Sequence, residues 1–140
     1  HAQEFNENKK NYWGHSSNFC VYQVGVPFIV HIPGKEALRY NHRTTHYDVV
    51  PTLMHDYLGV KNPIEDYAAG RLLTDTTPRQ WQFVGNELRY AFLLDNDTIL
   101  TKEGAGWIEV TDAQMNPVEN YQIKPKEFEQ VIRQLNRFFK

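Results

Sequence analysis

Apolar residues in this chain fall into three kinds of pattern. The first is a compact run, Val26 to Ile32, largely β-branched or aromatic and bounded by Pro27 near its start and Pro33-Gly34 at its end. Those limits predict a strand of about six residues, buried on both faces as in the sheet of an α/β protein. His31 would then point into or against packed structure as a core or edge histidine. The second pattern is helical. Thr45-His46-Tyr47-Asp48 has the Thr-x-x-acid form of a capping box, and Val50, Leu53, Met54, Tyr57 and Leu58 follow at i, i+3, i+4, i+7 and i+8. Gly59 supplies the stop, and Pro51 predicts either a regular start near Asp48 or a kink. Asp48 reads as an N-cap before it reads as a catalytic acid. His46 falls in the cap turn and His55 on the polar face. Asn62-Pro63-Ile64-Glu65, with Pro at the first helical position, repeats the start signal for a short helix that Gly70 ends.

The third pattern is a series of short aromatic or β-branched segments, Trp81 to Val84, Arg89 to Leu94, Asp97 to Lys102 and Trp107 to Thr111. Gly85-Asn86, Asp95-Asn96 and Gly104-Ala105-Gly106 separate them, and connections this short make antiparallel hairpins. Val118 to Ile123 is a candidate edge strand. From about Pro125, Phe128, Val131, Ile132, Leu135 and Phe138 recur at helical spacing, which predicts a closing helix packed through one face. Before all of this, His1 to Asn18 has no hydrophobic period and reads as a loop.

A chain of 140 residues is enough for one compact domain, burying roughly two-thirds of its unfolded surface. It starts without Met in a polar run and is treated as a possible fragment. The net charge of -2 is well mixed along the chain, so no basic stripe is present and nucleic acid is not an expected partner. The longest apolar run falls far short of the roughly 20 residues that span a bilayer. The single cysteine, Cys20, excludes an internal disulfide and a cysteine-based zinc site.

No Gly-rich phosphate loop, Gly-x-Ser-x-Gly elbow or His-Glu-x-x-His occurs. What remains is a histidine at each end of a polar loop, His1 and His15. Imidazoles ligate zinc, manganese or iron and donate to phosphate or sulfate oxygens, but two of them are an incomplete metal site. On the residues alone, a ligand pair and a solvated loop both stay open.

Three pieces in order add to this: Trp13-Gly14-His15, then Tyr22-Gln23-Val24-Gly25-Val26-Pro27-Phe28-Ile29-Val30, then His46-Tyr47-Asp48-Val49-Val50-Pro51-Thr52-Leu53-Met54 with Leu58-Gly59-Val60. Their order and spacing resemble the C-terminal part of the sulfatase branch of the alkaline phosphatase superfamily. His31-x-Pro33-Gly34 and Tyr67-x-x-Gly70 are similar to the pattern of one subgroup, inner-membrane proteins of Gram-negative bacteria with N-terminal transmembrane helices and a periplasmic sulfatase-like domain. The resemblance implies an α/β fold in which residues 1–75 end the sulfatase-like core and residues 76–140 form a small antiparallel subdomain with a C-terminal helix.

It also implies chemistry. His1-Ala2-Gln3-Glu4 resembles the family's Asp-His-Gly-Glu segment, which makes His1 the ligand of a divalent metal (Mn, Mg, Zn or Ca); Ala2 stands where Gly is usual, which loosens the close approach there. His15 falls where the family places a Lys or His on the sulfate or phosphate oxygens, the catalytic role. The family's nucleophile and remaining ligands lie in earlier sequence, so these residues are not expected to turn over substrate alone. The implied partners are a sulfate or phosphate ester or a lipid head group, the N-terminal remainder of the same protein, and the membrane through segments outside this chain. Two functions follow: part of a metal-dependent hydrolase or transferase, or a non-catalytic periplasmic domain that senses lipid and controls lipopolysaccharide and envelope lipid balance.

Overall fold

Local chemistry accounts for most of the elements that form. A computed structural model describes residues 1–86, 88–103, 106 and 108–137. The chain folds as two compact units, His1–Ala37 with Arg79–Tyr121, and Leu38–Pro78 with Gln122–Lys140. Helix and sheet are mixed, as an α/β segment requires, and the four-stranded sheet that forms is antiparallel.

In the first unit, strands β1 (Glu4–Phe5) and β2 (Trp13–Gly14) pair as a small hairpin within the segment expected to be loop. Asparagines make it possible. Asn6, Lys9 and Asn11 adopt left-handed backbone conformations, and the Asn6 side chain accepts the Asn11 amide at 2.6 Å. A four-residue helix, α1 (Val21–Val24), follows.

The meander comprises β3 (Trp81–Gly85), β4 (Arg89–Leu94), β5 (Ile99–Glu103) and β6 (Ile108–Thr111), in that spatial order. Asn86 closes the first turn by accepting the amides of Leu88 and Arg89 through its side chain, and Asp97 closes the second in a left-handed conformation. Ala91 sits between Val84 and Thr101, and Phe92 between Phe83 and Leu100. Successive residues therefore face opposite sides of the sheet. On one side Ala91 and Ile99 pack with Phe19, Cys20 and Met115 to form the core of this unit. On the other, Phe92 meets Phe83 and Tyr90 edge-on and these two meet each other tilted, with centroids 5.6–5.8 Å apart. Trp107 and Gly104-Ala105 lie outside the described residues. The candidate edge strand at 118–123 does not form; only a bridge between Thr111 and Pro117 extends the sheet.

The run at 26–32 is not the expected strand. Residues 27–31 make no backbone hydrogen bond among the described residues, Phe28 to Val30 are exposed, and Ile29 keeps 89% of its surface. His31 is exposed rather than packed. A strand buried on both faces needs neighbours on both edges and a layer on each side, and none of these is supplied locally.

In the second unit the capping signal at Thr45 works as read. The Thr45 amide donates to Asp48 Oδ2 at 2.7 Å, and a helical segment runs as a 3-10 turn (His46–Asp48), α2 (Val49–Thr52) and a π turn (Leu53–Tyr57). Pro51 explains the change of pitch: without an N–H it cannot bond the Tyr47 carbonyl one turn back. Gly70 lies against that carbonyl so closely that a Cβ there would fall 2.1 Å from the oxygen. Gly59, in a left-handed conformation, ends the segment. The apolar stripe, however, is outside except for the half-buried Met54. Val50, Leu53, Tyr57 and Leu58 are exposed, while Asp48, Pro51 and Thr52 are buried. His46 and His55 are exposed as expected, His55 pairing with Asp56 at 2.7 Å. The short helix is a single 3-10 turn, Ile64–Asp66, with Pro63 as its cap rather than its first residue. Helix α3 (Pro125–Asn136) starts with Pro at its first turn and buries Val131. Phe138 and the side chain of Leu135 lie outside the described residues.

Candidate functional site

The polar N-terminal segment brings its two histidines together. β1 and β2 run antiparallel, with Glu4 opposite Gly14, so the residues before β1 and after β2 emerge side by side. Gly14, at φ 110°, and Ser16, at φ 58°, then turn the chain sharply. The His1 and His15 rings stack with centroids 5.0 Å apart and planes within 3°. His15 Nδ1 lies 3.4 Å from Gln3 Oε1. Both imidazoles are exposed.

Beneath them is a fully buried polar cluster that the hydrophobic pattern could not reveal. Glu4 has 0% exposure, and its Oε2 accepts from Asn18 Nδ2 at 3.0 Å and from Gln23 Nε2 at 2.7 Å. Gln23 also donates to Ser17 Oγ at 2.7 Å and accepts the Ser17 amide at 3.1 Å, while its carbonyl receives the Ala2 amide at 2.8 Å. Gln23 occupies this place because α1 turns it inward. Arg89, on β4, adds a second support: its guanidinium donates to the Ser17 carbonyl, pairs with Glu103 at 3.2 Å and lies over the Phe19 ring. The signal for Glu4 and Gln23 is faint, a polar residue beside an apolar one in each case. Cys20 is next to this cluster. Burial pushes its thiol up to about 11, and the nearby Glu4 carboxylate adds to the rise against the amides of Gln23 and Tyr22.

The stack limits what a metal can do here. A metal sits in the plane of the imidazole that binds it, about 2.0–2.1 Å from nitrogen. Two parallel, stacked rings cannot both present in-plane lone pairs to one ion. Among the described residues no group of three His, Cys, Asp or Glu side chains could hold a metal. Of the other four histidines, His31 is exposed in the 26–32 run, His42 is engaged with the Leu73 carbonyl at 2.9 Å, and His46 and His55 belong to the helical segment.

Among proteins of known sequence, the chain is similar to bacterial inner-membrane proteins. The similarity is to inner membrane protein YejM: 59 residues are 41% identical to YejM of Salmonella typhimurium (strain LT2) and, equally, to YejM of Salmonella typhi. The matched stretch is 42% of this chain and 10% of those proteins. The chain therefore carries a YejM-like region, in agreement with the inner-membrane subgroup that its motifs resemble, and spans about a tenth of the length of the curated relatives it matches. No family model matches it. No helix among the described residues is long and apolar enough to cross a membrane.

Proposed function

We propose that this chain is the C-terminal portion of a metal-dependent, sulfatase-like domain acting on sulfate or phosphate esters, held in the periplasm by an inner-membrane protein. In this reading residues 1–75 end the α/β core and residues 76–140 form the small subdomain. His1 is a ligand of a divalent metal (Mn, Mg, Zn or Ca), and His15 hydrogen-bonds the sulfate or phosphate oxygens. The observation that carries the reading is the stack: residues fourteen apart in sequence present two imidazoles 5.0 Å apart in parallel planes, suited to a cation and an anion side by side. The metal, when bound, would stabilise negative charge on the ester oxygens. His15 would orient the ester and donate to it, and the Glu4 cluster would keep both rings in register.

The test is a pair of NMR titrations of the full chain, with Mn2+ or Zn2+ and with inorganic phosphate or sulfate. Expected are shifts or broadening at the His1 and His15 ring protons, loss of metal binding in His1→Ala, and loss of anion binding in His15→Ala. Binding that survives both substitutions unchanged overturns the assignment. The chain alone is expected to show no metal-dependent hydrolysis of an aryl sulfate or phosphate ester.

One observation favours a second, non-catalytic reading. Phe5 and Trp13 form a cross-strand pair on the same hairpin, 63% and 62% exposed. An aromatic pair of this kind beside an anion-binding residue suits a lipid, and so a domain that senses lipopolysaccharide or envelope lipid without turnover. Full-length protein that retains lipid binding but hydrolyses no ester, with any of the four metals, would select it over the first.

A further inference from the structure

A glutamate in a two-residue strand is expected at the surface, since burying a carboxylate is unfavourable unless strong donors face it. Glu4 is fully buried nonetheless. One oxygen, Oε2, accepts from both Asn18 Nδ2 and Gln23 Nε2; the other, Oε1, is shielded from solvent and has no hydrogen-bond partner among the described residues. Packing alone would be served better by an apolar side chain or an amide. What Glu4 supplies is a link between the strand that begins three residues after His1 and the loop that carries His15.

We infer that Glu4 is the positioning residue of the histidine pair. Its carboxylate latches β1 onto Asn18 and Gln23. Gln23 passes the constraint in two directions, to Ser17 through both atoms of its amide and to Ala2 through its carbonyl. Ala2 follows His1 directly, and Ser17 is two residues beyond His15. The 5.0 Å stack is thus set from below by a group that touches neither ring. The inference rests on the proposed roles of His1 and His15 for its relevance to metal and anion binding, but not for its geometry.

The experiment compares the wild-type chain with Glu4→Ala and Glu4→Gln, reading the His1–His15 ring cross-peak by NMR and the Zn2+ affinity by calorimetry. The Ala91 and Ile99 methyl signals report on the meander. In Glu4→Ala the methyl signals persist, the ring cross-peak disappears and Zn2+ affinity falls by about tenfold or more, the usual range for removing a group that orients a ligand. Glu4→Gln keeps an acceptor oxygen for both donors and is expected to restore the cross-peak and hold the affinity within about threefold of wild type. A cross-peak and affinity unchanged in Glu4→Ala overturn the assignment. Should Glu4→Ala unfold the meander, Asn18→Ala decides: a weakened cross-peak supports the latch, an unchanged one overturns it. A wild-type chain that binds neither Zn2+ nor phosphate sinks the functional roles given to the histidines, while the cross-peak still decides whether Glu4 positions them.

Discussion

The meander and the helical segment at 45–58 are apolar in about equal proportion and use those side chains in opposite ways. In the meander each strand pairs with its neighbour in sequence, and Ala91, Phe92, Ile99 and Leu100 are all buried. In the helical segment Val50, Leu53, Tyr57 and Leu58 face outward, Leu58 with 70% of its surface exposed, and the buried positions are Asp48, Pro51 and Thr52. Polar contacts hold this second region: Asp48 Oδ1 accepts the Arg71 amide at 3.0 Å, Thr52 Oγ1 donates to the Asp48 carbonyl at 2.8 Å, and the Leu73 amide donates to Thr52 Oγ1 at 2.8 Å. Hydrophobic periodicity states that a face exists. Whether the face is buried depends on where its partner comes from, and hairpins carry theirs with them.

The sharpest way to break this comparison is to cut into both regions. Phe92→Ala removes a ring buried among Phe83, Tyr90 and Leu100 and is expected to cost about 3–5 kcal/mol in urea unfolding. Gly70→Ala puts a methyl into the Tyr47 carbonyl, so the backbone must move; a loss of about 1–3 kcal/mol is expected, with the damage confined to residues 45–73 in hydrogen exchange. Asp48→Ala deletes the cap and the Arg71 contact and should cost about 1–2 kcal/mol. The core of the first unit adds a pH signature through Cys20. Its folded pKa is raised from an ordinary 9.0 to about 11, so the stability it contributes is complete below pH 9 and is lost as pH rises towards 11. Cys20→Ser should flatten that alkaline decline in thermal melts. Smallest of all, Leu58→Ala should change stability by less than about 0.5 kcal/mol because the side chain is exposed. A large loss there would show that the stripe is buried in solution.

Much of the scaffold was legible from short-range chemistry. The Thr45–Asp48 cap, the stop at Gly59, the turns at Asn86 and at 95–97, and Pro125 at the start of α3 each depend on a few adjacent residues, and each is found. The failures share a cause. An apolar run such as 26–32, or an apolar stripe such as 50–58, is buried only where partners distant in sequence cover it, and a local pattern does not show those. The β1–β2 hairpin was hidden because its register rests on asparagine turns rather than alternation. Of the candidate site, His1 and His15 stood out by residue type and family likeness. Glu4 and Gln23 lie within the motifs but carried no role of their own there, and Arg89 lies outside them, since a buried polar cluster has no period.

Residues 27–33 have a bearing on how the chain behaves at high concentration. Exposed apolar backbone without partners is a template for another molecule's strand, and long flat edges of this sort seed aggregation. Here Pro27 and Pro33 bracket the run. Neither can donate an amide, so an intermolecular ladder started on Phe28 is interrupted at Pro33, five residues on. The two prolines act as gatekeepers, leaving an adhesive stretch only five residues long.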